Sequence, residues 1–373
     1  MELGQRLYGS EYMDLAIYGA QSIALGAYEA IHNICPDRKI RCFLVTRQDR
    51  NPETLHGIPV MEVGGFSQSL SDQEKQSIEI LIATPEPVMQ EIEGTLDRVG
   101  LRCHVRLTSS GWAELMGYRY SCDRTFVPLQ ALPPGYHRAE LHVFMAKFHK
   151  DKPLAGRYEL PEWVMPIQAG AALGGERVAG ILDCDGENIS AKNANYSELT
   201  VLYWIWKNRL QHPSAGSEHG YYGLAHYRRV LELAGDDELR LVDNGVDVVL
   251  PYPMPYEPDI EAHHKRYLKE ADWAAVQEAV RRLCPEYAEF FPKVLGQRYL
   301  YNYNIVIARR PVLEEYCSWL FPILNRLEET SVPPASERAD RYIGYAAETL
   351  ETLYFMFNKD RLRIAHAGCR FLT

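Results

Sequence analysis

The stretch DLAIYGAQSIALGAYEAIHNI, residues 14–34, combines a short apolar strand, a glycine turn and a segment whose apolar residues have helical spacing. The same pattern recurs downstream: strands are predicted for RKIRCFLVT (38–46), SIEILIATP (77–85) and LRCHVRL (101–107), and a helix for PVMQEIEGTLDRVG (87–100). Strands that alternate with helices predict a parallel sheet covered on both faces. The first third of the chain is therefore predicted to form a small α/β domain.

The first strand-to-helix turn is where such a sheet would bind a phosphate. Gln21 occupies the place of the second glycine of a dinucleotide fingerprint, and the second strand ends without an acidic residue to bind a ribose hydroxyl. These departures disfavour a classical NAD site and with it an NAD-linked sugar-modifying enzyme. The residues expected to face any ligand, since they lie at the carboxyl ends of neighbouring strands, are Gly19, Ser22, Ala83 and Thr84.

Residues 10–115 resemble the small Rossmann-like, CoA-binding-type domains of nucleotide-sugar and polysaccharide enzymes. The matching segments are IYGA (17–20), HGIPV (56–60) and LIATP (81–85). The alternative is a scaffold domain without a ligand.

Composition excludes several classes of protein. A formal net charge of -10 argues against broad nucleic-acid binding, which needs a basic face. No apolar run approaches the roughly 20 residues of a membrane span, and the first 20 residues lack a signal-peptide pattern, so a cytoplasmic location is expected. The eight cysteines form no CxxC pair, which favours reduced thiols over a zinc or redox motif.

The 373 residues suffice for two domains. Residues 118–140 lack a clean period and are rich in proline and glycine, which is typical of a linker. We predict a Rossmann-like domain over 1–120, a linker over 121–138 and a second α/β domain over 139–373.

The second domain is also predicted to alternate strands and helices. Strands are expected at ELHVFMAKFHK (140–150), YYGLA (221–225), DNGVDVVLP (243–251) and YLYNYNIVIARR (299–310), with a loop over 149–173. The helix within 196–208 is expected to start with a capping box formed by Asn195 and Glu198. Helices are further predicted in 263–291, 311–329 and 338–360.

Nine segments in this order resemble a family long labelled as a domain of unknown function, whose members occur in capsular polysaccharide and exopolysaccharide biosynthesis and include glycosyltransferases. They are FHK (148–150), PIQAGAAL (166–173), ENIS (187–190), YSELTVLYWIWKN (196–208), YGLAHYRR (222–229), DVVLP (247–251), YNYNIVIARR (301–310), YCSWLFPIL (316–324) and RYIGYAAETL (341–350). The resemblance implies a glycosyltransferase A-type fold and transfer of a sugar to a growing glycan, with UDP-galactofuranose as the leading donor.

Such an enzyme must stabilise the negative charge that grows on the departing diphosphate, with a metal or with fixed cations. The segment HYRR (226–229) follows the predicted buried strand YYGLA. We predict that Arg228 and Arg229 replace or supplement a metal, because a guanidinium binds phosphate oxygens in pairs and stays protonated. His226 is expected to be a third donor or a metal ligand, and Tyr227 to stack on a base or fill the core.

This interpretation has a geometric condition. Adjacent strand residues point to opposite faces, so Arg228 and Arg229 can reach one phosphate only if the strand has already ended. The alternative is a pair of solvated arginines at a strand exit.

Asp183 and Asp185 form the one Asp-x-Asp motif of the second domain. No cofactor is expected, but these carboxylates leave open a site for Mn²⁺ or Mg²⁺; a solvated acidic loop is the alternative. The predicted donor-binding residues are His149, Lys150, Asn188, Ser190, Asn193, His226, Tyr227, Asn302 and Asn304. Ordinary turn, cap and strand-edge roles are the alternatives for the asparagines and the serine.

An inverting transferase needs a carboxylate to accept the proton of the acceptor hydroxyl. Glu348, in the family segment GYAAE, is the candidate base, and Asp247 and Glu198 are further candidates. A retaining mechanism would need no such base.

The sequence thus predicts a glycosyltransferase that transfers a hexose from a UDP-sugar to a lipid-linked precursor of capsule, exopolysaccharide or O-antigen. The acceptor's location suggests peripheral association with the inner face of the membrane. The alternative is a non-catalytic regulator that binds a nucleotide sugar or CoA through the first domain.

Overall fold

The structure, a computed structural model, describes residues 14–49, 51–154, 156, 158–211 and 219–372. Within them the chain forms two compact units: the first contains residues 14–125 and 254–257, and the second residues 126–253 and 258–372. The division after Thr125 falls inside the predicted linker. Residues 118–123 belong to a helix, however, so the irregular segment begins later than the sequence suggested.

The first unit contains a parallel sheet flanked by helices. The strands of this sheet are β1 (Leu15–Tyr18), β2 (Ile40–Val45), β3 (Thr54–Leu55), β4 (Ile58–Glu62), β5 (Glu79–Ile82) and β6 (His104–Arg106). The unit also contains the short strand β13 (Met254–Pro255), later in the chain, which does not belong to the sheet. Its helices are α1 (Ser22–Ile34), α2 (Val63–Gln68), α3 (Asp72–Ser77), α4 (Met89–Arg98) and α5 (Ser109–Asp123).

The sheet of the first unit has the order β3-β4-β2-β1-β5-β6, and every neighbouring pair is parallel except β3 and β4. All four residues of the central strand β1 are buried, which explains its uninterrupted apolar sequence. The helix α1 has the bounds that its apolar spacing predicts. The expected parallel α/β architecture is thereby confirmed.

Gly19 ends β1 in a conformation that a side chain would not tolerate. Its φ is +131°, and a Cβ atom there would lie 2.5 Å from the carbonyl oxygen of Ala83. The requirement for glycine comes from this close approach of two strand ends.

The second unit contains a larger mixed sheet. The strands of this sheet are β7 (Glu140–Lys147), β8 (Val164–Gln168), β9 (Ile181–Leu182), β10 (Gly220–His226), β11 (Arg229–Leu231), β12 (Val248–Pro251), β15 (Val306–Arg309), β16 (Ile364–Ala367) and β17 (Cys369–Phe371). The unit also contains the short strand β14 (Tyr299–Leu300), which lies outside this sheet. Its helices are α6 (Asn193–Tyr196), α7 (Leu199–Ile205), α8 (Asp237–Leu241), α9 (Ile260–His264), α10 (Glu270–Leu283), α11 (Pro285–Leu295), α12 (Arg310–Thr330) and α13 (Tyr342–Phe357). A π-helical turn, Trp206–Leu210, continues α7.

The main path of this sheet has the order β16-β12-β15-β10-β7-β8-β9, and β11 and β17 extend it beside β10. Strands β10, β7, β8 and β9 run parallel, whereas β15 is antiparallel to both of its neighbours. The segment before β15 therefore reaches the edge of the sheet where β7 and β10 end. This reversal decides which residues meet at that edge.

Three sequence predictions for the second unit are wrong. The predicted loop over 149–173 contains the strand β8, and the predicted strand over 299–310 is interrupted between β14 and β15. The expected capping box is also absent, because α7 begins at Leu199 and the amide of Asn195 donates to the carbonyl oxygens of Ala335 and Arg338.

A buried ion pair ties two parts of the second unit together. Arg338 donates to both carboxylate oxygens of Asp272, at 2.6 and 2.7 Å, and these side chains are only 3% and 1% exposed. Long helices pack nearby, with α12 against α10 and α13. Among the described residues, none of the helices is long and apolar enough to cross a membrane.

Candidate active site

Three strands of the second unit bring polar residues to one edge of the sheet. His226, the last residue of β10, pairs with Ala146 near the end of β7. Leu224 pairs with Val306, the first residue of the reversed strand β15. Residues that follow β7 and β10 therefore meet residues that precede β15, as is common for sites at the carboxyl ends of parallel strands.

The HYRR segment forms a tight hairpin at this edge. His226 pairs with Arg229, the first residue of β11, so that Tyr227 and Arg228 form a two-residue connection. The strand has thus ended before Arg228, which meets the condition set by the sequence analysis. All four side chains are half-buried.

The two arginines of the hairpin have different surroundings. The guanidinium of Arg229 lies 3.8 Å from the ring centre of Tyr303 and 4.9 Å from that of Phe371, a cation–π arrangement that holds it in place. Arg228 lies over Tyr227 at 5.2 Å. Within the described part of the chain, its buried Nε has no hydrogen-bond acceptor. Arg228 therefore has an unsatisfied donor at this edge, while Arg229 is fixed beside Tyr303.

A backbone break places Glu198 in the site. Ser197 has φ +51°, a left-handed conformation uncommon for serine, and it separates α6 from α7. The Ser197 carbonyl accepts two side-chain hydrogen bonds: the amide of Asn193 donates to it at 2.9 Å, and the hydroxyl of Thr200 donates to it at 3.1 Å. Glu198 follows immediately and is 6% exposed.

A second backbone distortion faces the first. Tyr303 and Asn304 have φ values of +75° and +52° in the segment before β15. The amide of Asn304 donates to Glu198 Oε1 at 2.7 Å and to the Gly344 carbonyl at 3.3 Å. Such strained conformations persist only where the surroundings hold them, and they concentrate at functional sites.

Glu348 lies on α13 and is partly buried. Its carboxylate accepts a hydrogen bond from the Tyr303 backbone. Burial, and then the negative charge of Glu198, raise the pKa of Glu348 to about 8, although the Tyr303 bond, Arg229 and Arg341 oppose the rise. This carboxyl can therefore exchange its proton close to neutral pH.

Glu351 lies one helical turn beyond Glu348 and is fully buried. Neither of its carboxylate oxygens has a hydrogen-bond partner within the described residues. Burial, followed by the charges of Glu348 and Glu198, raises the pKa of Glu351 well above its usual range. The surroundings of Glu351 therefore favour its protonated form.

A third arginine, which is exposed to solvent, contacts Ser197 and Glu198. Arg341 has φ +60°, and its side chain is 52% exposed. Its Nε donates to Ser197 Oγ at 2.7 Å, and its terminal nitrogen lies 3.6 Å from Glu198 Oε2. The Nε2 of His226 lies 3.8 Å from the same oxygen.

His226 adds a neutral imidazole to this arrangement. Burial lowers its pKa to about 4, Glu198 opposes this shift, and the arginines at 228, 229 and 341 add to it. We name the assembly the carboxylate–arginine cluster: Glu198, Glu348, Glu351, His226, Arg228, Arg229 and Arg341. It combines a carboxyl that titrates near pH 8 with three permanent cations, one of which is exposed.

The Asp-x-Asp loop is organised by its own hydrogen bonds. The carboxylate of Asp183 is fully buried and accepts from the backbone N–H groups of Gly170 and Ala171 at 2.8 and 3.0 Å, and from the hydroxyl of Ser190. Asp185 is exposed. The described residues contain no group of three or more His, Cys, Asp or Glu placed to hold a metal. The donor set does not fit a metal site, because the loop itself uses the Asp183 oxygens.

Three predicted donor-binding residues also bond within the loop. The amide of Asn188 donates to the carbonyls of residues 184 and 186, and Ser190 also accepts from the Ala172 N–H at 3.0 Å. Asn193 holds Ser197, as described above. The turn and cap roles weighed against donor binding therefore account for these side chains.

The remaining donor candidates lie at or near the edge. The ring of His149 packs against Gly175 and contacts Phe148 with ring centres 4.3 Å apart, and Lys150 is exposed. Asn302 is 5% exposed, and Asn304 binds Glu198 through its amide. Donor contacts by His149, Lys150, Tyr227 and Asn302 stay predictions, whereas Asn304 acts on the orientation of Glu198.

Asp247 does not belong to this site. Strand register places Val248 level with Tyr222, so Asp247 is displaced from His226 by about five residues, or roughly 16 Å along the sheet. Its carboxylate accepts instead from the Arg363 N–H at 2.9 Å. The assignment of Asp247 as a base beside Glu348 is therefore corrected.

In the first unit, the predicted ligand residues lie at neighbouring strand ends. The Ala83 N–H donates to the Tyr18 carbonyl at 2.8 Å, next to Gly19. Ser22 is the first residue of α1, and the buried hydroxyl of Thr84 has no partner among the described residues. A ligand at this edge stays a prediction.

Sequence reasoning missed Arg341 and Glu351 as site residues. Arg341 begins the family segment RYIGYAAETL but was assigned no role there, and Glu351 lies just beyond that segment. The spacing of Glu348 and Glu351 by three residues was a usable signal, since such residues share one helix face.

Comparisons with known proteins agree with this fold. A family model described as Domain of unknown function (DUF4422) matches residues 144–359, which is more than half of the chain. Among solved structures, the apo structure of the WbbM bifunctional glycosyltransferase is similar at 25% identity and a TM-score of 0.51. The match covers 63% of this chain and 45% of that chain, so this chain spans less than half of the WbbM chain. The search of curated proteins found no match.

The family match extends from within β7 to just beyond α13, and so includes every residue of the carboxylate–arginine cluster. The chain therefore belongs to the family described as Domain of unknown function (DUF4422).

Proposed function

We propose that this protein is a glycosyltransferase that transfers a sugar from a nucleotide-sugar donor to a glycan acceptor through the carboxylate–arginine cluster. The observation that carries the proposal is the position of Glu348, a carboxyl with a pKa of about 8, near the guanidinium groups of Arg229 and Arg341. The structural similarity to a bifunctional glycosyltransferase supports the same reaction class.

The cations are suited to the leaving group. A departing nucleoside diphosphate gains negative charge as the glycosidic bond breaks, and fixed guanidinium groups stabilise that charge without a metal. Arg228 offers a buried Nε without an acceptor, and Arg341 offers an exposed guanidinium. Arg229 is held between two rings, so its role is to contribute positive charge.

The carboxyl is suited to the acceptor. In an inverting reaction, deprotonated Glu348 accepts the proton of the acceptor hydroxyl, and the hydroxyl oxygen attacks the anomeric carbon. The bond from that carbon to the phosphate oxygen breaks, and its electron pair leaves with the nucleotide. A base with a pKa near the working pH is efficient in this role.

The finer assignment follows the family resemblance. We propose a UDP-hexose donor, with UDP-galactofuranose first among candidates, and a lipid-linked precursor of a surface polysaccharide as acceptor. Peripheral association with a membrane follows from that acceptor.

The test is UDP release from a panel of UDP-sugars by the full chain. Glu348→Gln is expected to reduce turnover about 10²–10⁴-fold, the usual contribution of a general base, while UDP still binds. For the unaltered protein, kcat/KM should rise with pH and level off above pH 8, because the base acts when deprotonated. Arg281→Lys, an exposed arginine on α10, is the matched control for Arg228→Lys, which should weaken UDP binding.

Three results separate this proposal from its alternatives. If the unaltered protein binds UDP but releases no UDP from any UDP-sugar, it is a sensor and the transferase proposal is refuted. Full activity of Glu348→Gln would indicate a retaining mechanism and remove the assigned base. Complete loss of activity in excess chelator, restored by Mn²⁺, would show that a metal supplies the charge instead of the arginines.

A further inference from the structure

A short aromatic surface lies beside the carboxylate–arginine cluster. Tyr267 is 50% exposed, and its ring centre lies 5.2 Å from that of Tyr345, with 32° between the ring planes. The guanidinium of Arg341 lies 5.9 Å from the Tyr345 ring centre. We call Tyr267, Tyr345 and Arg341 the tyrosine platform.

The platform is connected to Glu348 by helix geometry. Tyr345 and Glu348 are three residues apart on α13, so they lie on one face with Cβ atoms roughly 5–6 Å apart. Arg341 lies close to Glu198, which is in turn electrostatically coupled to Glu348. A molecule on the platform would therefore have one end next to the candidate base.

The position of Tyr267 is fixed through His264, which contacts Trp273 and α13. Its backbone N–H donates to the His264 carbonyl at 2.9 Å. The His264 ring stacks on Trp273, with ring centres 5.5 Å apart and 6° between the planes, and its Nε2 is bonded to the hydroxyl of Thr349 on α13. Tyr267 is thus exposed but anchored to the helix that carries Glu348, which makes a preformed surface.

We propose that the platform binds a pyranose ring of the acceptor glycan. A pyranose has an apolar face of C–H groups and a rim of hydroxyls. Tyrosine rings offer a flat apolar surface with a polar edge, and Arg341 adds hydrogen-bond donors beside it. Exposed aromatic side chains next to a cationic group are therefore chemically matched to a sugar ring.

The identification of the ligand as the acceptor rests on the proposed function, because the platform shares a helix face with Glu348, the residue proposed to deprotonate the acceptor hydroxyl. The competing occupant is the base of the nucleotide, which would also stack on tyrosine. The two are distinguished by which ligand loses affinity when the platform is altered.

The test uses the full chain and saturation-transfer NMR with three probes: methyl β-D-galactopyranoside, methyl β-D-glucopyranoside and methyl α-D-mannopyranoside. At least one should receive saturation at its ring C–H protons. Tyr267→Ala should weaken its binding about tenfold, the scale expected for one lost aromatic contact. Tyr345→Phe keeps the ring and should keep the binding. Tyr136→Ala, which removes a tyrosine that is 96% exposed and outside the platform, is the matched control.

The proposal is overturned if no glycoside binds, if Tyr267→Ala binds as tightly as the unaltered protein, or if Tyr136→Ala weakens binding equally. Loss of UDP affinity in Tyr267→Ala would assign the platform to the nucleotide and overturn it as well. Failure of the proposed function looks different: glycosides would still bind in a manner sensitive to Tyr267, but no UDP-sugar would be turned over.

Discussion

Replacing Glu348 by glutamine should change how the stability of the second unit depends on pH. The amide oxygen of glutamine can still accept the hydrogen bond from the Tyr303 backbone, so the substitution removes the titrating proton with little change in shape. The effect is independent of any enzymatic activity. It therefore tests the electrostatics of the cluster directly.

The sign and size follow from the pKa of Glu348, which burial and Glu198 raise from 4.5 to about 8. Between these values the folded protein keeps the proton and the unfolded chain loses it. The free energy of unfolding therefore falls as pH rises through this window and levels off above pH 8. Each pKa unit corresponds to 1.36 kcal/mol, so the fall due to Glu348 between pH 5 and pH 8 is about 4 kcal/mol.

The assay is urea unfolding followed by tryptophan fluorescence at pH 5, 6.5 and 8. Five of the six tryptophans lie in the second unit, so the signal reports mainly on that unit. The stability difference between the unaltered protein and Glu348→Gln should shift by about 4 kcal/mol across the range, towards the variant at high pH. Glu289→Gln, an exposed glutamate on α11, controls for the change in net charge.

Parallel pH profiles for the unaltered protein and Glu348→Gln would refute the reasoning, because they would mean that Glu348 ionises alike in the folded and unfolded chains. A second variant checks the cause. Glu198→Gln removes the neighbouring negative charge, so it should lower the pKa of Glu348. The pH range over which the free energy of unfolding falls should then be narrower.

Two further predictions concern stability. Arg338→Ala should cost about 3–5 kcal/mol of unfolding free energy, because it leaves Asp272 charged and buried. The control Arg361→Ala breaks an exposed pair with Glu315 and should cost less than about 1 kcal/mol. Urea unfolding midpoints of the two variants decide this, and equal costs would contradict the prediction. Asp183→Ala should lower the free energy of unfolding by about 2–4 kcal/mol without any added metal, because it removes the acceptor of three loop hydrogen bonds. A loss of stability seen only in the presence of Mn²⁺ would indicate that Asp183 is a metal ligand instead.

The sequence predicted the parts of the fold that local patterns determine. The helix Ser22–Ile34 has a glycine turn before it and a clear apolar spacing, and the continuous apolar strands around it have no competing pattern. In contrast, β8 lies in a proline-rich stretch and forms because Val143 and its neighbours on β7 supply the pairing. Pairing between distant segments has no signal in the strand's own residues.

The site was predicted in part for the same reason. Glu348 and the HYRR hairpin lie in family segments, so the resemblance pointed to them. The interruption at Tyr303 and Asn304 was not predicted, because YNYN alternates like a strand and tyrosine rarely adopts a positive φ, although asparagine tolerates it. Arg341 and Glu351 gain their significance only from what α13 packs against.

The reversed strand has a consequence for synthesis of the protein. The hairpin at His226 is translated about 120 residues before Glu348, an interval of roughly 6–25 s at 5–20 residues per second. During that interval the nascent chain has Glu198, Arg228 and Arg229 but lacks β15, Arg341 and the helix that carries Glu348. The complete carboxylate–arginine cluster can therefore form only late in translation.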